Sequence, residues 1–192
     1  TNSTAIGSSL ITKSLNALTI GAYNDTSDAA TAVGSSTGDD RIFQLGNGSA
    51  FGRSNAVTVL RNGNTGIGTL LPKARLHVEN NVVFTSSSGV QVTPANPPVS
   101  GSGVRMMWYP DKAAFRTGYV SGSQWDKDNT GYYSFSAGQS TTASGNNSVA
   151  MGASSTASGL SSLAIGEFNT AGADRSVALG YEIEERRVGK EC

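Results

Sequence analysis

The chain has 192 residues and zero formal net charge, 14 basic residues balancing 14 acidic ones. This excludes the high net charge of a disordered chain and gives no electrostatic basis for binding nucleic acid or an acidic membrane surface. Charged residues make up 15% and glycines number 24, with Ser, Thr, Ala and Asn crowding the rest, so bulky side chains for a rounded core are scarce and an elongated, β-rich, small-residue architecture is expected.

Thr1 in place of an initiator Met reads as the interior of a longer chain. No stretch approaches the ~18 apolar residues of a membrane helix. The only cysteine is Cys192, so there is neither a disulfide framework nor a thiolate metal site. At the N-terminus Ala5-Ile6-Gly7 and Thr19-Ile20-Gly21 lie 14 residues apart, and Thr31-Ala32-Val33-Gly34 follows after 13. This is a repeat whose register is degrading, placed over residues 1–38.

Residues 39–80 read as short strands. Arg41-Ile42-Phe43-Gln44-Leu45 and Ala56-Val57-Thr58-Val59-Leu60 flank the turn-rich Gly46-Asn47-Gly48, and Asn62-Gly63 marks a tight hairpin. Over residues 81–131 the run Val92-Thr93-Pro94-Ala95-Asn96-Pro97-Pro98-Val99 opposes regular structure, because proline removes donors and restricts its predecessor. Met106, Met107, Trp108, Tyr109, Phe115, Tyr119 and Trp125 concentrate the aromatic mass here, and Tyr132 and Tyr133 continue it. This segment is expected to be a small irregular β connector that packs on the first of the following repeats and caps it.

Residues 132–183 hold the clearest pattern. Ser134-Phe135-Ser136-Ala137-Gly138 returns as Ser148-Val149-Ala150-Met151-Gly152, Ser162-Leu163-Ala164-Ile165-Gly166 and Ser176-Val177-Ala178-Leu179-Gly180, always 14 residues on. Ala143-Ser144-Gly145, Ala157-Ser158-Gly159 and a degenerate Ala171-Gly172-Ala173 keep the same phase. A period of 14 suits one coil of two short strands and two tight turns and is too short for helix pairs, so stacked coils of a β-solenoid without helix are expected. Alternate strand residues face opposite ways, yet Val149-Ala150-Met151, Leu163-Ala164-Ile165 and Val177-Ala178-Leu179 are apolar throughout. Such a strand must be covered on both faces, once by its own coil and once from outside. Another protomer is the natural outer cover.

These repeats resemble the YadA-like head of trimeric autotransporter adhesins, clearly over Ser134–Tyr181 and weakly at the N-terminus. The resemblance implies a left-handed parallel β-roll and a homotrimer. Gly63-Asn64-Thr65-Gly66-Ile67-Gly68-Thr69 with Pro72-Lys73-Ala74-Arg75-Leu76-His77-Val78 resembles a module common in tail-fibre-like proteins of bacteria and their phages. Residues 184–192, Glu184-Glu185-Arg186-Arg187-Val188-Gly189-Lys190-Glu191-Cys192, resemble a translated sequencing-library adapter and are set aside from fold reasoning; few contacts with the repeats are expected of them.

No motif for chemistry survives inspection. The Gly63–Gly68 run lacks dinucleotide spacing, a following Lys-Ser/Thr and any βαβ context. His77, the only histidine, has no triad or metal partners in any motif and reads as a surface residue. Asp126-Lys127-Asp128-Asn129-Thr130-Gly131 echoes the start of a calcium loop, but Ala137 stands where the loop needs Glu. The aromatic cluster suits either a ligand platform or a connector core, and clustered aromatics are more often core. Asn2, Asn24, Asn47 and Asn146 stand in Asn-x-Ser/Thr patterns that a chain of this composition produces by chance. The expectation is therefore a non-enzymatic structural and adhesive segment of a trimeric cell-surface fibre, with no catalytic, cofactor or metal residues. Its partners would be two further copies and a host or environmental surface ligand, with neither nucleic acid nor direct membrane insertion. A phage tail-fibre or tail-spike segment, located on a virion, is the alternative.

Overall fold

The structure is a computed structural model that describes residues 2–28 and 37–181, with the backbone of 186–187. The chain divides into two compact units, Thr1–Val83 and Phe84–Cys192. The only helical pieces among the described residues are single 3-10 turns at Pro110–Lys112 and Lys127–Asn129.

The first unit holds one six-stranded sheet in chain order: β1 (Thr4–Ser8), β2 (Leu18–Ala22), β3 (Arg41–Asn47), β4 (Asn55–Leu60), β5 (Thr65–Ile67) and β6 (Leu76–Val78). β1, β2 and β3 run parallel, with Gly7 beside Gly21 and Gly21 beside Gly46. The parallel pairing of the N-terminal repeat strands thus continues onto β3. Thr31-Ala32-Val33-Gly34 lies outside the described residues. Between β4 and β5, Gly63 N donates to Leu60 O at 2.9 Å and Leu60 N to Asn64 O at 2.9 Å, so the glycine run turns a hairpin there.

This sheet is polar within and apolar without. One row across it, Thr19, Gln44, Thr58 and Gly66, is buried. Gln44 Oε1 accepts Asn55 Nδ2 at 2.9 Å and Asn24 Nδ2 at 3.3 Å, and Asn55 Nδ2 also reaches Thr58 Oγ1 at 3.1 Å. The opposite parity forms the row Ile6, Ile20, Leu45, Val57, Ile67 and Val78, exposed or half-buried, beside a second row with Leu18, Phe43, Val59 and Leu76.

The second unit opens with residues that form no strand until β7 (Gly103–Tyr109), which pairs antiparallel with β8 (Ala114–Val120). β8 lies parallel to β9 (Phe135–Gln139), and the sheet continues through β11 (Val149–Ala153), β13 (Leu163–Glu167) and β15 (Ser176–Tyr181). The two-residue strands β10 (Thr142–Ala143), β12 (Thr156–Ala157) and β14 (Thr170–Ala171) stack as a second, three-stranded sheet. Each of the first three coils therefore contributes one strand to each sheet, β15 extends the longer one, and Gly138, Gly152, Gly166 and Gly180 stand in one register. The β-solenoid read from the 14-residue period is present.

The glycines have a physical reason. A Cβ added to Gly152, where φ is +101°, would lie 2.0 Å from Gly166 O, and one added to Gly145 would lie 2.0 Å from Gly159 O. Adjacent coils approach too closely for any side chain. The repeated serine closes the turn before each long strand: Ser148, Ser162 and Ser176 each donate Oγ to the carbonyl three residues back, at 2.6, 2.8 and 2.6 Å. The core is correspondingly thin: Ala143, Ala150, Ala157, Ala164, Ala171 and Ala178, all fully buried.

Arg186–Arg187, β16, pairs antiparallel with Ser176 and Val177 on the last coil. This is one contact between the expected adapter tail and the repeats, and it runs against the parallel direction of every coil before it. Glu184, Glu185 and 188–192 lie outside the described residues.

Candidate functional site: the outer face of the coils

Strand alternation decides which apolar set is interior. Ala150, Ala164 and Ala178 point into the coils, and Ser136 and Arg116 extend their row. The larger neighbours point outward. One outer row reads Trp108, Phe115, Phe135, Val149, Leu163 and Val177, and the next Met106, Thr117, Ala137, Met151, Ile165 and Leu179. Neither row contains a charge. The Phe115 and Phe135 rings stack 5.8 Å apart at 15°, while Met106 and Leu179 are 73% and 52% exposed. The second apolar face inferred from the sequence is thus present, half-buried along the first row and more exposed along the second.

The connector caps the coils as well as extending the sheet. Trp125 is fully buried under the first coil, donating Nε1 to Thr141 O at 2.9 Å and Ser136 Oγ at 3.2 Å. Arg116 enters the coil interior with no exposed surface. Its Nη1 donates to Ser134 O at 2.9 Å and Phe115 O at 2.8 Å, and its Nη2 to Ser134 Oγ at 2.7 Å and Ala143 O at 3.1 Å. Burial lowers its pKa to about 10. Sequence reasoning missed this plug. The available signal was Phe115-Arg116-Thr117-Gly118, which matches the pattern of Phe135-Ser136-Ala137-Gly138 out of phase.

The aromatic cluster splits along β7 and its surroundings. Tyr109, Met107 and Trp125 are buried, whereas Met106, Tyr119 and Tyr133 are exposed. The expected connector core accounts for the first three and not for the others. Around Asp126–Gly131, the Lys112 ammonium donates to Lys127 O and Thr130 O, both at 2.6 Å, and lies over the Tyr132 ring. A protein cation therefore uses carbonyls of the calcium-like run, and Asp126 Oδ1 accepts Gly101 N at 2.7 Å. Among the described residues no group of three or more His, Cys, Asp or Glu is placed to hold a metal. His77 is half-buried at the sheet edge, its Nδ1 accepting Lys73 N at 3.4 Å.

Residues 130–155 and 157–182 match the family model of the YadA head domain repeat, one copy each. The coils are YadA-like head repeats. Each matched stretch spans close to two coils, and the first begins at Thr130, so it takes in the turn before Ser134 as well as the strands. No curated protein and no solved structure matches the chain. Among the described residues no helix is long and apolar enough to cross a membrane.

Proposed function

We propose that this chain is a structural and adhesive segment of a homotrimeric cell-surface fibre, working by display and attachment and not by catalysis. The observation that supports it most is the pair of adjacent outer rows of the second unit, from Trp108 to Val177 and from Met106 to Leu179, which hold no charge. Burying a Val or Leu side chain contributes roughly 1.5–3 kcal/mol, so a few such side chains rival the ~5–15 kcal/mol margin of a whole domain. A lone chain forgoes that stabilisation, and a symmetric assembly recovers it by placing the same patch of each copy together. YadA-like head repeats supply the precedent for three copies and for exposure on a cell surface. Attachment would then use the remaining, solvated faces, with threefold avidity making weak individual contacts sufficient.

Sedimentation of the full chain over a wide concentration range tests this. The expected result is a trimer whose melting temperature rises with protomer concentration. A well-folded monomer with a concentration-independent melt would overturn the reading.

A further inference from the structure

The first unit shows the same inversion of polarity, and it extends into residues that no family model matches. From β1 to β6 the row Ile6, Ile20, Leu45, Val57, Ile67 and Val78 crosses every strand without a break. Six strands at ~4.8 Å spacing make this face about 24 Å long. Ile6 is 62%, Ile67 45% and Leu76 62% exposed, while the opposite face buries Thr19, Gln44 and Thr58.

A sheet that faces water on one side ordinarily buries its apolar side and wets its polar one. Here the polar side is buried, with Gln44, Asn55 and Thr58 hydrogen-bonded to one another, and the apolar side is half-buried to exposed. We infer that residues 39–80 are themselves a self-association segment, and that second copies of this chain cover the outer face of β3–β6 together with that of β1 and β2. The inference rests on the proposed trimer and extends it beyond the repeats.

Three observations select a second copy over another partner. The face is continuous with β1 and β2, whose 14-residue register is that of the head repeats. Neither row contains a charge, so the patch has nothing to complement in a charged partner and is complementary to itself. The second unit carries the same arrangement, with the small or polar parity inside and the large apolar parity outside.

Cysteine cross-linking in the full chain tests this and separates it from the proposal it rests on. In a C192S background, single variants Val57→Cys on β4, Ile165→Cys on β13 and Ala50→Cys on the β3–β4 loop are exposed to mild oxidant. Both face positions change an outward side chain by little volume, and circular dichroism checks that each variant folds. The expected result is that V57C and I165C form inter-chain disulfides on the order of tenfold or more faster than A50C, as held copies give high effective concentration. If I165C cross-links and V57C matches A50C, the inference is overturned while the trimer of repeats stands. V57C alone cross-linking supports the inference and removes the repeats from the interface. Equal rates at all three positions, fast or slow, overturn both.

Discussion

At the scale of single residues, backbone geometry makes the sharpest demands. Gly152 combines φ +101° with a neighbouring carbonyl that a Cβ would meet at 2.0 Å, whereas a Cβ at Gly52 would meet nothing within 4 Å. Gly152→Ala should therefore destabilise the second unit by at least about 2 kcal/mol, and Gly52→Ala should stay within about 0.5 kcal/mol of the parent. Chemical denaturation of the two variants side by side measures the contrast, and equal effects would contradict the close stacking. Charge also makes a demand at Asp25 in the first unit, which pairs with Arg41. Burial alone would raise its pKa, but hydrogen bonds from Ser27 and from the buried Arg41, at 2.6 Å, together with the Arg41 charge, hold it below its ordinary value. A depressed carboxylate stabilises the fold fully above its unfolded pKa, near 3.8, and loses that contribution as pH falls through the lower folded value. Acid should thus loosen the first unit below about pH 4. Asp25→Asn should cost about 1.5–3 kcal/mol at neutral pH and flatten that acid limb. Hydrogen exchange of the β2 amides from pH 7 to 3 follows both effects, and an unchanged acid limb in D25N would remove Asp25 as its source.

At the scale of the strand and coil, the two faces should respond differently to the same charge. Ala164→Asp places a carboxylate among the buried alanines of the coil interior and should prevent the second unit from folding cooperatively. Ile165→Asp touches only the outer face, so coils should form while association weakens. Circular dichroism with sedimentation distinguishes these, and loss of structure in both variants would contradict the assignment of faces. The sequence showed that both parities were apolar but not which was interior. Size was the unread cue, since the inner positions of the last three coils are all alanine while the outer ones vary among Val, Leu, Met and Ile. The coils themselves were legible because a repeated glycine at fixed spacing reports a close approach directly. The pairing of β3 with β2 was not, because their glycines stand 25 residues apart and no period links them. Nor was Arg116, whose burial makes sense only once the fold has gathered carbonyls around the guanidinium.

At the scale of the whole molecule, the antiparallel contact of Arg186–Arg187 is peripheral to the coil stack. Deleting Glu184–Cys192 should leave the melting temperature of the full chain within experimental error, and a fall of several degrees would show that the tail belongs to the fold. The stack also has a direction. A Cβ added to Gly131, Gly145 or Gly159 would run into a carbonyl of the following coil, at Gly159 into Ala173 O at 2.0 Å. Inner coils are consequently interchangeable parts, and a gene duplication that adds one unit before Ala173 lengthens the rod by ~4.8 Å while asking nothing new of its neighbours. A unit added after Ala173 would set a carbonyl where that methyl group stands. Variation in copy number would then be tolerated upstream of this residue and opposed immediately after it.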